Sequence, residues 1–277
     1  MSLDKNDYQE PVCPFDLSQW KDEPPVRSIP VGRVLEKLDE SYSRADLDAA
    51  VRLAEYWIAE AKAGNDLRGE FAVRNELMGV FRKMGNKEKA MENADLSLQL
   101  IDRLELNGSA THGTALVNAA TVRKAFGMPE ESLEQFTKAM LIYEKDISGA
   151  DFRVAGLYNN MSVTLCYLGH YKEALEYQKK ALSILSQLED TEGEQAVSWL
   201  NMADIYSAQL GAEAAEERVF ECCEKASELL DCPDLPHDGN YAFYCEKCAP
   251  VFECYGFFLL AEKYAGAARA IYGRTRE

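Results

Sequence analysis

Residues 157–188 read LYNNMSVTLCYLGHYKEALEYQKKALSILSQL, and most of the chain is a variation on them. The stretch fits two antiparallel helices joined by a tight turn at Leu168-Gly169-His170. Gly169 ends the first helix, because glycine alone enters left-handed backbone geometry without a Cβ clash. On the second helix Tyr171, Ala174, Leu175, Ala181, Leu182 and Leu185 recur at three- and four-residue spacing and make one apolar face. A single pair of this kind buries only one side of each helix. It needs neighbours.

The neighbours are copies of itself. Gly85, Gly127, Gly169 and Gly211 are spaced 42 residues apart, three times running. Each follows an apolar helix ending (FRKMG, RKAFG, CYLG, SAQLG) and precedes an acidic helix start. A period of this length predicts a helical solenoid in which each unit contacts mainly the next. The fold class expected is all-α, a right-handed α-solenoid superhelix of about six antiparallel helix pairs forming one continuous body.

At these residues the chain resembles the tetratricopeptide repeat (TPR) family. Tyr158, Leu165, Gly169, Tyr171, Ala174 and Ala181 fall where that pattern expects an aromatic, a large residue, the turn glycine, an aromatic and two alanines. Trp199, Ala203 and Tyr206 repeat the first half in the next copy. The family period is about 34 residues. An excess of about two helical turns, one per helix, lengthens the unit and keeps its faces in phase. This long form resembles the repeats of kinesin light chain and of bacterial peptide-sensing regulators.

Composition narrows the function classes. With 47 acidic against 30 basic residues the net charge is −17. That argues against nucleic acid or an anionic membrane as partner, since phosphate binding needs clustered cations. No apolar run approaches the roughly 20 residues of a membrane span. Residues 1–10, MSLDKNDYQE, lack a basic-then-apolar leader pattern. Eight cysteines without such a leader point to a reducing compartment, and the expected localisation is cytoplasmic.

Three segments follow from the pattern. Residues 1–30 hold five prolines and read as an arm that packs on the first repeat or lies in a groove. Residues 31–230 carry about five repeat units. In these, Asp66 caps a helix, Pro129 opens another, and Thr191 with Glu194 forms a capping box. Residues 231–277 read as an atypical terminal pair, helices over 241–264 and 265–272, that closes the core.

The first constellation is a series of asparagines on first helices: Asn118, Asn160 and Asn201, with Asn75 and Asn159 beside them. Asn118 and Asn160 lie nine residues before their turn glycine, the other three lie ten. One position is roughly 100° of rotation, so all five cannot point the same way. A side-chain amide both donates and accepts, and a ladder of them suits an extended peptide read through its main chain. The resemblance implies the same role, since first helices line the concave surface of such arrays. The competing reading is that these amides tie neighbouring helices together. Arg74, Arg82, Arg123 and Arg153 face either an acidic ligand or surface carboxylates.

The second constellation is Cys232, His237, Cys245 and Cys248, whose C-x2-C with a preceding Cys and His has the composition of a zinc site. The pair sits in a helical stretch, so buried thiols are the favoured reading and no cofactor is expected. No phosphate loop, G-x-S-x-G or H-E-x-x-H is present, and the chain reads as a non-enzyme. The expected function is a scaffold that binds a peptide or protein segment in its concave groove. The alternatives are a homodimer through the arm or the terminal unit, and a metal-stabilised terminal unit.

Overall fold

The computed structural model describes residues 26–43 and 46–274. Among them are twelve helices and no strand: α1 (Val31–Ser43), α2 (Leu47–Ala63), α3 (Leu67–Lys83), α4 (Lys87–Arg103), α5 (Ala110–Ala125) and α6 (Pro129–Asp146), then α7 (Phe152–Tyr167), α8 (Tyr171–Leu185), α9 (Glu192–Leu210), α10 (Ala212–Leu230), α11 (Gly239–Cys254) and α12 (Phe258–Arg274). They pair consecutively. The expected all-α repeat architecture is present. The proline-rich segment read as an arm lies, up to residue 25, outside the described residues.

The turn glycines act as their spacing predicts. Gly85, Gly127, Gly169 and Gly211 all have positive φ, between 71° and 80°. After each, the chain reverses and the next helix lies back on its partner. Asp66 caps α3, its Oδ1 accepting from the Gly69 amide at 2.9 Å. Pro129 stands at the start of α6, where its missing N–H has no partner to lose.

By their internal contacts the described residues fall into two compact units, divided between Ser148 and Gly149. In the N-terminal unit α1 packs on α3 and α3 on α5, so the first helices form one layer, with α2 and α4 each also touching the following first helix. Val34, Leu38, Ile58, Leu77, Met78 and Phe81 fill the space between, and fully buried Ala54, Ala90 and Ala94 let the helices approach closely. Residues 27–29 are stitched onto this unit. The Arg27 amide donates to Gly64 O at 3.2 Å, and the Ile29 amide donates to Asp66 Oδ2 at 2.8 Å. A Cβ on Gly64 would lie 2.1 Å from the Arg27 carbonyl oxygen, so only glycine fits there.

The C-terminal unit repeats the scheme, with α7 on α9 and α9 on α11. Its last pair departs from the expected boundaries. The helices are α11 and α12 with the turn at Gly256 (φ 81°), not a break at 264/265. Gly256 lies 45 residues after Gly211, because the loop DCPDLPHD (231–238) adds length before α11 begins. The capping box also fails. Thr191 makes no side-chain cap on α9. Its hydroxyl donates to Leu185 O at 2.7 Å, and Glu194 is engaged by Tyr244 of α11. Tertiary partners outcompete the local motif.

The loop between α4 and α5 has its own fastening. The Gly108 amide donates to His112 Nδ1 at 3.1 Å, which requires that nitrogen to be unprotonated. Burial pushes the His112 pKa down, opposed by the charge of Asp102. A folded pKa below the unfolded value of about 6.5 means the contribution is complete above that pH. It is lost as pH falls through the folded pKa. The thermal midpoint should therefore fall on acidification below about pH 6.5, and His112→Gln should flatten that part of the profile. An unchanged slope in the variant would contradict the assignment.

Candidate functional site

The asparagines resolve into two pairs, one in each unit. In the N-terminal unit Asn118 Nδ2 donates to Asn75 Oδ1 at 3.1 Å, bridging α5 and α3. In the C-terminal unit Asn201 Nδ2 donates to Asn159 Oδ1 at 2.8 Å, bridging α9 and α7. The same Asn159 oxygen also accepts from Gln178 Nε2 of α8 at 2.9 Å, so one carbonyl ties three helices. The Asn160 amide donates to Gly156 O of its own helix at 3.0 Å. Of the five asparagines, 75 with 118 and 159 with 201 are brought together, and Asn160 bonds back to its own helix.

Each pair leaves hydrogen-bonding capacity. An amide has two N–H donors and an oxygen with two lone pairs, and an Asn–Asn bond engages one donor and one lone pair. Asn118, Asn159 and Asn201 are half-buried, and Asn75 is buried beneath Asn118. Each pair bridges two stacked first helices.

The arginines are mostly engaged elsewhere. Arg74 turns inward: Nε donates to Glu70 Oε1 and NH1 to Asn93 Oδ1, both at 2.8 Å, with all three residues buried. Arg123 pairs with Asp95 of α4 at 2.5 Å and lies 3.8 Å from Glu131 of α6. Arg153 is held by Asp151, the cap of its own helix, at 2.8 Å, which also draws the Asp151 carboxyl below its usual range. Arg82 is half-buried at the end of α3, and burial pushes its pKa down.

Two carboxylate–tyrosine bonds join α9 to α11, and neither was read from the sequence. The Tyr244 hydroxyl donates to Glu194 Oε1, and the Tyr255 hydroxyl donates to Asp204 Oδ1 at 2.7 Å. Glu194 Oε2 is buried with no partner among the described residues, and burial raises the pKa of that carboxyl against the opposing hydrogen bond. Gly193 makes the approach possible, since a Cβ there would sit 2.0 Å from Tyr244 Cδ2. Turn spacing does not pair these residues: Glu194 and Asp204 stand seventeen and seven before Gly211, Tyr244 and Tyr255 twelve and one before Gly256.

The cysteine constellation does not assemble. Cys245 and Cys248 are buried, Cys232 is half-buried, and the His237 ring stacks on Tyr241 at 4.1 Å between centroids. Burial pushes the Cys245 thiol up to about 11 and that of Cys248 higher still, which favours protonated thiols over metal-binding thiolates. Among the described residues no group of three or more His, Cys, Asp or Glu is positioned to hold a metal. Also among them, no helix is long and apolar enough to cross a membrane.

Comparison with known proteins places the fold. Residues 153–228, α7 to α10, match the tetratricopeptide repeat family. No curated protein matches the sequence. Among solved structures, BtubC (BKLC) from P. vanneervenii superposes with a TM-score of 0.62 at 19% identity, covering 72% of this chain and 79% of that one. A Rap protein complexed with competence and sporulation factor gives 0.59 at 14% identity, covering 90% of this chain and 66% of that one. The kinesin light chain repeats of Podosopora anserina give 0.50 at 16% identity, covering 74% and 95%. Such identities speak for fold alone. In its repeat match and in its helical architecture, the chain resembles the tetratricopeptide repeat proteins in their long-repeat form.

Proposed function

We propose that the chain is a non-enzymatic scaffold that binds an extended peptide or protein segment along its stacked first helices. The observation that carries the reading is the Asn159–Asn201 pair, with its counterpart Asn75–Asn118. Each pair fixes two amides one repeat apart and leaves a donor and an acceptor for a ligand's main chain. Pre-positioned amides cost the ligand little ordering, which favours affinity. The similarity to a Rap protein solved with competence and sporulation factor bound supports a binding role for this fold. In this reading the chain works in the cytoplasm without a cofactor, neither nucleic acid nor membrane is a partner, and residues 231–277 close the array.

The test compares wild type with Asn160→Ala/Asn201→Ala in pull-downs from native lysate. Loss of Asn201 removes one hydrogen bond between repeats, about 1 kcal/mol, so the fold should survive. The expected outcome is loss of the bound partner at unchanged helicity. Retention of the same partners by the folded variant would place the site elsewhere.

A further inference from the structure

One edge of the C-terminal unit is apolar in a way the first-helix face does not explain. The Glu194–Tyr244 and Asp204–Tyr255 contacts join residues 50 and 51 apart, whereas the turns Gly211 and Gly256 are 45 apart, so α11 is set back along α9 by five or six residues. The Gly256 turn therefore lies beside the middle of α10, where the Phe220 ring stands 5.8 Å from that of Phe257. Large apolar side chains are exposed at this turn: Phe220 is 50% exposed, Phe258 66% and Leu259 84%.

This exposure is not simply the open end of a repeat array. Beyond Leu259 the exposed residues of α12 are Glu262, Lys263, Arg269, Ala270 and Gly273, so no further large apolar side chain is exposed along that helix. Large apolar side chains exposed together around one turn mark an interaction site.

The charges around it say what fits. Phe220 has Glu216, Glu217 and Glu224 as its neighbours at three and four positions along α10, and all three are exposed. Glu253 and Glu262 flank the Gly256 turn, also exposed. Among the described residues none of these five carboxylates forms an ion pair. The nearby cation Arg218 lies over the Tyr206 ring at 5.1 Å. An apolar strip with an acidic rim is complementary to an amphipathic segment whose polar face is basic.

We infer that this turn edge is a second docking surface, separate from the first-helix face, for a basic amphipathic helix of a partner protein. Phe220, Phe258 and Leu259 supply the apolar contact, and the glutamates supply selectivity and attraction. A second copy of this chain, itself strongly acidic, is disfavoured by its own charge.

The test is a fluorescence-anisotropy titration of the full chain with a labelled synthetic amphipathic helix of Leu and Lys. The same peptide with Glu in place of Lys serves as comparison. Phe258→Asp/Leu259→Asp removes the apolar contact, while Tyr56→Asp/Leu141→Asp adds the same two charges at exposed sites of the other unit. The Lys peptide should bind and the Glu peptide should not. Binding should be at least tenfold weaker in the Phe258/Leu259 variant, although that variant is more negative. Asn160→Ala/Asn201→Ala and Tyr56→Asp/Leu141→Asp should bind it as wild type does. Equal or tighter binding by the Phe258/Leu259 variant would overturn the inference, as would no binding of the Lys peptide. So would a wild-type dimer in light scattering that this variant loses, since a second copy would then be the occupant.

Discussion

Gly193→Ala is expected to destabilise the C-terminal unit by roughly 3 kcal/mol, a large effect for one methyl group. The added Cβ would fall 2.0 to 2.6 Å from three carbons of the Tyr244 ring, Cδ2, Cε2 and Cγ. These atoms belong to a rigid ring held by the packing of α11 on α9, so the ring must move as a whole. Moving it breaks the hydrogen bond to Glu194 Oε1 and strands a half-buried carboxyl whose other oxygen already lacks a partner. Overpacking and an unsatisfied polar group then add. Urea denaturation followed by circular dichroism measures the loss. Tyr244→Ala in the same background should recover part of it, because the clash and the ring are one interaction. Strict additivity of the two substitutions would contradict the packing described.

Arg74→Ala should cost the N-terminal unit roughly 3–5 kcal/mol. Its guanidinium holds Glu70 and Asn93 in a buried cluster, with Asn93 Nδ2 in turn donating to Lys89 O at 2.9 Å. The exposed Lys62, 3.7 Å from Glu70, is too distant and too solvated to replace it. Removing the cation strands a buried carboxylate and an amide oxygen. Replacing both charges together, Arg74→Met with Glu70→Leu, should be far milder, since an apolar pair of similar volume needs no partner. Chemical denaturation of the single and double variants decides it. A double variant as unstable as Arg74→Ala would mean that side-chain shape, and not the stranded charge, sets the cost.

Much of the fold was legible because its punctuation is local. A glycine with positive φ follows α3, α5, α7 and α9, and that requirement belongs to a single residue, so the 42-residue spacing carried four turns without reference to anything distant. The fifth was misplaced because the 231–238 loop shifted Gly256 by three positions, and aromatic density drew the expected boundary to Tyr264 instead. The Thr191–Glu194 capping box shows the opposite limit. Its signature is local, yet the side chains are claimed by Leu185 O and by Tyr244, fifty residues away.

The asparagine series was legible as residue type and spacing, but not as pairing. Whether Asn159 or Asn160 meets Asn201 depends on a rotation of about 100°, which is set by how α7 packs on α9. Side-chain amides also serve equally well as struts between helices or as ligand contacts, and in this chain each pair does the first while keeping capacity for the second. The carboxylate–tyrosine bonds had no sequence pattern at all, being products of stacking alone. Of the arginines that could have faced either a ligand or surface carboxylates, Arg74, Arg123 and Arg153 pair with Glu70, Asp95 and Asp151.

The most direct measurement is site-specific photo-crosslinking in native lysate. A crosslinking residue in place of the half-buried Val197, four positions before Asn201 on the same face of α9, should capture a partner segment. The same residue at exposed Lys179 on α8 should not. Capture from position 197 that Asn201→Ala suppresses is the expected result. Capture from Lys179 alone, or equally from both positions, would contradict binding along the first helices.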